Sequence, residues 1–229
     1  MKKLVLTLIL SATVLSGVFA QVESGDTEVT ANQRLKEISI NKMEDSGLWY
    51  AVMPSDNGLI SLRTFPGAPD SKEPLEDEQQ FGLGVADVNV IGAKVDFYHR
   101  GIMDFAVMSS KPIPIEGITK TVSVWVAGRN TEHRLELIIS DSSGTITILP
   151  MGKLNFSGWK QLTVTIPSHI KQQDYHYQDR PGVMIKGFNI KCNLDETYGR
   201  YYVYFDDIRA VTDLYTEENR DVDDIPDTW

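Results

Sequence analysis

Two adjacent carboxylates near the end of the segment YYVYFDDI, residues 201–208, are the residues most suited to chemistry. A pair of carboxylates can act as acid and base on a glycosidic bond, or it can provide oxygen ligands to a hard cation. The segment reads as a β-strand, whose alternation would send Asp206 and Asp207 to opposite faces. Two carboxylates that point apart cannot share one substrate, so the spacing predicts that this pair, taken alone, is not catalytic.

Two structural roles remain for this pair at the end of its strand. Asp206 and Asp207 could accept hydrogen bonds from backbone donors, or one of them could be a ligand of a calcium ion. Calcium needs several oxygens, and Glu44 with a loop carbonyl could complete the site if the two ends of the domain meet. The sequence predicts no cofactor apart from this structural calcium, and it leaves other metals undetermined.

The elements that must position these residues are β-strands. From residue 120 onward, apolar and polar residues alternate in TVSVWVA, RLELIIS, TITIL, QLTVTI, GFNIKC and YYVYFDDI. The segment DSSG joins the second and third of these, and its Asp141 and Gly144 suit a type I turn. Regular strands without intervening amphipathic helices predict an all-β fold with few short helices. We expect an antiparallel jelly roll or β-sandwich of the kind found in carbohydrate-binding modules.

The N-terminal half is less regular. We expect strands in LWYAVM, LISLR, VNVIGAKVDFY and MDFAVM. In EVTANQRLKEI, by contrast, Ala31, Leu35 and Ile38 have helical spacing, which predicts a helix. A loop with three prolines and a dense acidic patch runs over residues 66–87, and a loop this long is usually either functional or disordered.

The aromatic residues and the single cysteine suggest which faces are buried. Cys192 shares a strand face with Phe188 and Ile190, so it is expected to be buried, and no internal disulfide can form. Tyr202 and Tyr204 fall opposite the face of Phe205, a predicted core residue, and Trp125 falls opposite the valines of its own strand. Exposed rings there could stack on sugars, or a partner could cover them.

The ends and the charge of the chain bound its location and partners. Residues 1–20 have the basic start, apolar run and small final residue of a cleaved signal peptide. We expect one β-sandwich domain over 21–212 and no membrane span after cleavage. The net charge of −10 argues against binding to nucleic acid or to an anionic membrane surface. An acidic tail over 213–229 has seven Asp or Glu residues, and its Ile225, Pro226 and Trp229 could dock on a neighbour.

Three segments together carry a family resemblance. IEGITKTVSVWVAGRNTEHRLELIISDSSG, GKLNFSGWKQLTVTIPSHIKQ and GRYYVYFDDIRAVTDLY resemble the spirochaete flagellar filament outer-layer (sheath) proteins, in that family's order. The chain is short beside the larger members, which suggests a shorter paralogue. The resemblance implies a periplasmic, non-catalytic protein that coats a flagellin core filament and contacts other sheath proteins and its own copies. It also implies structural roles for Trp125, Trp159 and the Asp206–Asp207 pair.

Two functional hypotheses follow. The first is a structural component of the sheath on the periplasmic flagellum, which alters the stiffness and curvature of the filament during motility. The alternative is a periplasmic carbohydrate-binding jelly-roll module that uses an aromatic platform. The two hypotheses differ in whether the protein accompanies purified filaments or binds a sugar saturably.

Overall fold

The computed structural model describes residues 35–76, 78–172 and 182–214, all of which belong to one compact unit that spans 32–229. The predicted signal peptide, nearly all of the acidic tail and Trp229 lie outside these ranges, so the expectations about them stay predictions. No helix in the described part of the chain is long and apolar enough to cross a membrane.

The described chain is built from strands. They are β1 Leu35–Asn41, β2 Trp49–Val52, β3 Gly58–Pro66, β4 Asn89–Phe97, β5 Asp104–Pro114, β6 Ile118–Arg129, β7 Arg134–Ser140, β8 Ile146–Lys153, β9 Ser157–Thr165, β10 Met184–Lys191 and β11 Gly199–Asp213. One short helix, α1, covers Glu78–Phe81, and two single 3-10 turns cover Ser46–Leu48 and Leu194–Glu196.

The strands form two antiparallel sheets. A six-stranded sheet has the order β3-β4-β11-β6-β9, with β1 also paired to β11, and a five-stranded sheet has the order β2-β5-β10-β7-β8. Apart from the consecutive pairs β3–β4 and β7–β8, neighbours in each sheet are not consecutive in the chain, which distinguishes this topology from a simple meander. The predicted all-β antiparallel sandwich with few short helices is confirmed.

The core lies between the two sheets because each strand turns its apolar residues inward. Val122, Val124 and Val126 of β6 are fully buried, as are the alternate apolar residues of β7. Phe188 of β10 stacks on Phe205 of β11, with ring centroids 5.4 Å apart and planes 13° from parallel. This contact joins the middle of one sheet to the middle of the other.

The expected turn between β7 and β8 is present. The backbone N–H of Gly144 donates to the carbonyl oxygen of Asp141 at 3.0 Å, and Gly144 has a φ of +85°, which favours glycine. The side chain of Asp141 accepts further bonds from the N–H groups of Ser143 and Thr145. The two strands pair in the expected antiparallel register.

The predicted helix over EVTANQRLKEI is wrong for its described residues. Leu35–Asn41 forms strand β1, which pairs with the second half of β11 from Leu35 opposite Asp213 onward. The apolar side chains of Ile38 and Ile40 alternate inward and are buried. Pairing with an available strand edge therefore overrides the local helical spacing.

Strand β11 is the organising strand of the larger sheet. Its first part, from Gly199 to Phe205, pairs with β4, whereas its second part, from Ile208 to Asp213, pairs with β1. A β-bulge separates the two parts, and Asp207 within it has a φ of +40°. An extra residue in one strand breaks the strict alternation of side chains, so the strand faces must be read separately on each side of the bulge.

Candidate functional site: an ion-paired loop and an aromatic face

The bulge brings the two aspartates into one buried ion cluster, which we define as Lys42, Lys72, Asp87, Asp206, Asp207 and Arg209. Both Asp206 and Asp207 have no exposed surface. Lys72 Nζ lies 2.7 Å from Asp206 Oδ2, and Arg209 Nε lies 2.7 Å from Asp207 Oδ2. Lys42 Nζ, 4.0 Å from Asp207 Oδ1, adds a third cation.

The ion cluster holds the acidic loop, residues 66–87, against the outer face of the six-stranded sheet. Lys72 Nζ also contacts Asp87 Oδ2 at 2.5 Å, so one lysine joins the middle and the end of the loop to β11. Arg209 Nη2 donates to the carbonyl oxygen of Glu73 at 2.7 Å. Leu75, within the loop, is buried. The loop is therefore an ordered cover over half of this sheet face, apart from residue 77, which lies outside the described ranges.

Burial dominates the electrostatics of the cluster. It raises the pKa of Asp206 to about 6, against the hydrogen bond from Lys72, and the negative charges of Asp87 and Asp207 raise it further. Burial lowers the pKa of Lys72, but hydrogen bonds to Asp206 and Asp87 outweigh that effect, so its pKa ends above the ordinary value. Lys72 therefore stays charged at neutral pH and is the main group that keeps Asp206 ionised.

The prediction that Asp206 and Asp207 point to opposite faces is wrong, because the bulge inserts an extra residue at this place. The carboxylates share one cluster, yet neither reaches solvent, and each is already paired with a basic side chain. A substrate could not approach them without displacing the acidic loop. The geometry is therefore compatible with a structural role for the pair, which stays a prediction.

Glu44 does not join the two aspartates. Its carboxylate accepts hydrogen bonds from the backbone N–H groups of Val88 and Asn89, at 2.8 and 3.0 Å, and from the Asn89 side chain. It thereby fixes the start of β4. Among the described residues no group of three or more His, Cys, Asp or Glu side chains could hold a metal ion. The ligand set predicted for calcium is not assembled, and basic side chains take up the carboxylates instead.

No described loop covers the other half of the same sheet face. Here the side chains of adjacent strands form a row in which large and small residues alternate. The row consists of Arg63, Gly92, Tyr204, Ala127 and Trp159. Tyr204 therefore stands between two small residues, Gly92 and Ala127. We call this uncovered region the aromatic face; it comprises Phe65, Trp159, Tyr202 and Tyr204 with the basic residues Arg63, Lys94, Arg129 and Arg200.

The rings of the aromatic face are held by close contacts. Phe65 packs edge-on against Tyr204 with centroids 5.6 Å apart, and the guanidinium of Arg129 lies 5.4 Å from the Tyr204 ring centroid. A Cβ atom on Gly92 would come within 2.7 Å of the Phe65 ring and 2.8 Å of the Tyr204 ring. Only glycine at this position leaves room for the ring pair. Tyr202 remains 37% exposed and Phe65 39% exposed.

The aromatic face is also locally basic. At its outward-facing positions Arg63, Lys94, Arg129 and Arg200 stand against one carboxylate, Asp96, which pairs with Lys94 at 2.8 Å and Arg200 at 3.0 Å. Arg63 and Arg129 are exposed. Because the whole chain carries a net charge of −10, this concentration of positive charge marks the face as a distinct surface.

The remaining predicted site residues separate into core and outer face. Cys192 and Phe205 are buried, and burial raises the pKa of the Cys192 thiol to about 12, which keeps it protonated. Trp125 is also buried, but it lies at the outer face on the covered half, away from the two tyrosines. Trp159, for which the resemblance implied a structural role, is only partly buried and stands on the outer face of β9.

Sequence reasoning missed most of the polar partners. Lys72 and Asp206 are 134 positions apart, and nothing in the local sequence of either residue indicates the contact. The bulge did have a signal: the inward apolar residues of β11 change from Val203 and Phe205 to Ile208 and Ala210, which shifts their spacing by one residue. Read in this way, the pattern places an extra residue at Asp206 or Asp207.

The family model and the similar curated proteins all point to the same family. The family model described as "Flagellar filament outer layer protein Flaa" matches residues 18–220. A flagellar filament outer layer-like protein from Brachyspira hyodysenteriae is 36% identical over 211 residues, which cover 91% of this chain and 93% of that protein. The flagellar filament outer layer protein of Spirochaeta aurantia is 30% identical over 117 residues, 47% of this chain and 35% of that longer protein.

Among solved structures, the family 11 carbohydrate-binding module from Clostridium thermocellum in complex with a mixed-linked tetrasaccharide is similar, with a TM-score of 0.43 and 10% sequence identity. The match covers 78% of this chain and 96% of that one. The sequence matches extend over nearly the whole chain and include both β11 and the strands around it. The chain belongs to the flagellar filament outer layer protein family.

Proposed function

We propose that this protein is a structural subunit of the sheath on the periplasmic flagellar filament, where it alters the stiffness and curvature of the filament. The observation that carries the proposal is the family match along most of the chain. A flagellin core and other sheath subunits are the partners expected for such a protein. Its action is mechanical and needs no catalytic group.

The geometry suits a subunit that must keep its shape under load. The two sheets share a core whose central rings stack across the interface, and the acidic loop is fixed to β11 by buried ion pairs. Such a domain resists bending, so forces would be carried by contacts between subunits. The aromatic face provides one uncovered surface for such a contact, because exposed rings with basic neighbours are common at interfaces.

The experiment is to compare filaments from cells with and without this protein. Washed filaments should contain the protein, and immunogold labels should lie along their surface. Filaments that lack it should have a different curvature and a shorter persistence length in electron micrographs. A protein that remains in the soluble periplasmic fraction after gentle lysis, with unchanged filaments in the deletion strain, would exclude a sheath role.

Carbohydrate binding remains the second candidate, and one feature favours it. A groove of about 610 Å³ lies beside the acidic loop, and Glu37, Trp125, Gln161 and Arg209 are among its lining residues. Hydrogen-bonding side chains beside an indole are the groups that hold sugars. The aromatic face supports this function less, because Arg129 occupies one side of the Tyr204 ring and would compete with a stacked sugar.

A glycan array followed by calorimetry tests the second candidate. Saturable binding that is lost in Gln161→Ala, but retained in a variant of the exposed Ser61 on the aromatic face, would support it. Absence of binding to any glycan on the array would leave the sheath function without a competitor.

A further inference from the structure

We propose that the aromatic face binds the acidic segment 215–229 of a second copy of this chain. This inference rests on the proposed function, because it names one contact that would join subunits within the sheath. The charge of the face, the composition of the segment and the place where the segment leaves the domain identify this segment as the occupant.

The charge and the exposed rings of the aromatic face are complementary to an anionic partner with apolar side chains. Four basic residues oppose two carboxylates, Asp96 on its strand and Glu196 at the second cavity, on a surface that also exposes parts of Phe65 and Tyr202. On one side of the tyrosines lies a cavity of about 280 Å³ that Arg63, Phe65 and Tyr204 help to line. On the other side lies a cavity of about 540 Å³ beside Arg129 and Tyr202. Each cavity combines a guanidinium with a ring, so it offers both charge and apolar contact.

Segment 215–229 has the matching chemistry. Its sequence, YTEENRDVDDIPDTW, contains six Asp or Glu residues and one arginine, with Ile225, Pro226 and Trp229 among the acidic residues. Carboxylates such as Asp223 and Asp224 would form bidentate pairs with arginines, which are stronger than ordinary hydrogen bonds. Ile225 or Trp229 would fill one of the two cavities beside Tyr204.

The geometry favours docking between copies over docking within one chain. Tyr204 lies nine residues before Asp213 on β11, so the face and the exit of the segment are about 30 Å apart along the strand. The acidic loop covers the sheet between them, over Asp206 and Arg209. A segment that folded back over its own domain would carry its carboxylates across the glutamates of that loop, such as Glu73 and Glu76, and would be repelled.

A neighbouring copy could deliver its segment to the face without crossing this loop. When each subunit places its segment on a different neighbour, rather than exchanging segments with one partner, the contact is heterologous and leaves a free face and a free segment at the two ends. Repetition of such a contact builds open chains of subunits, as a coat along a filament requires.

A charge-swap experiment on the full-length protein tests the proposal. The face variant is Arg63→Glu/Arg129→Glu, and the segment variant is Asp223→Lys/Asp224→Lys. Sedimentation velocity over a range of concentrations should show self-association of the wild type that weakens at least about tenfold in either variant alone, because like charges then meet at the contact. A mixture of the two variants should associate again, because Glu on one face meets Lys on the other segment.

A matched control and a salt series accompany the swap. The control Lys111→Glu/Arg134→Glu reverses two exposed basic residues on the five-stranded sheet and should leave association unchanged. Raising the salt concentration from about 0.05 M to about 0.5 M should weaken wild-type association, because it shortens the screening length. Circular dichroism of each variant checks that the fold is retained.

The other occupants give different results. A wild type that stays monomeric at all concentrations, with its segment cross-linked to its own face, would show docking within one chain and overturn the proposal. If the wild type is monomeric and the face variant no longer sediments with filaments, the face binds the filament instead. This result would also overturn the proposal. If the protein associates through the face but never accompanies filaments, the contact between copies is supported and the sheath function is rejected.

Discussion

Replacing Lys72 with methionine should destabilise the domain strongly, because it removes the cation that holds Asp206 in its charged form. The two groups form a 2.7 Å ion pair in which Lys72 has 8% and Asp206 0% of its side-chain surface exposed. Methionine keeps most of the length and apolar volume of lysine. The substitution therefore tests charge far more than packing.

The magnitude follows from the burial of the pair. Removing one partner of a buried ion pair typically costs 3–5 kcal/mol, because an uncompensated charge is left inside the protein. Lys42 and Arg209 remain nearby, so we expect the lower end, about 3 kcal/mol at pH 8. For a domain of this size each kcal/mol lowers the midpoint of thermal unfolding by roughly 3 °C, which gives a decrease of roughly 9 °C.

The pH dependence provides a second signature. Asp206 has a folded pKa of about 6, above its ordinary value of 3.8, so its own contribution to stability is present below about pH 3.8 and lost as the pH rises through about 6. Without Lys72 the folded pKa of Asp206 rises further, so its carboxyl group binds a proton at a higher pH. Once protonated, it no longer carries the free-energy cost of a buried, unpaired charge. The difference between wild type and variant should therefore decrease from pH 8 to pH 5.

Urea unfolding at pH 8 and pH 5 measures both effects. In the double variant Lys72→Met/Asp206→Asn the unpaired charge is absent, so we expect about 2 kcal/mol of the loss to be recovered. The control Lys153→Met breaks an exposed pair with Glu132 and should leave the unfolding midpoint nearly unchanged. A loss below about 1 kcal/mol in Lys72→Met, or no recovery in the double variant, would refute the role assigned to this pair.

Three further predictions concern other parts of the molecule. Cys192 should not react with a thiol reagent at pH 8 until urea unfolds the protein, because burial raises its pKa to about 12; rapid labelling of the native protein would contradict this. Gly92→Ala should cost about 1–3 kcal/mol in urea unfolding, because its methyl group would collide with the rings of Phe65 and Tyr204; Ser61→Ala on the same face is the control. Calcium or a chelator should leave the thermal midpoint unchanged, because Lys42, Lys72 and Arg209 already balance the three carboxylates of the cluster; a rise with calcium would show a missed cation.

The strands and their pairing into a sandwich could be predicted because the pattern that defines them is local. Alternation with a period of two indicates which side of each strand is apolar, and two apolar sheet faces can be buried only against each other. The hairpin between β7 and β8 was equally local, since Asp141 and Gly144 lie within four residues. The helix predicted over EVTANQRLKEI was wrong, because helical spacing over a few residues is a weak preference compared with pairing of β1 to the edge of β11.

The candidate site could be predicted only in part. The alternation of β11 correctly placed Tyr202 and Tyr204 together opposite Phe205. It misplaced Asp207, because a single extra residue reverses the faces of everything that follows. Apart from those on β11 itself, the basic residues that complete the site come from three other strands and two loops, so no spacing in the sequence connects them.

The sequence by itself determined the all-β class, the buried state of Cys192 and, through three ordered segments, the family. These properties depend on composition and on short-range periodicity, which a single chain displays directly. Only the tertiary structure decided that Asp206 and Asp207 share one cluster, that Lys42, Lys72 and Arg209 neutralise it, and that the acidic loop covers half a sheet face while no described loop covers the aromatic face. These properties depend on contacts between residues up to 134 positions apart, and burial gives such contacts their strength.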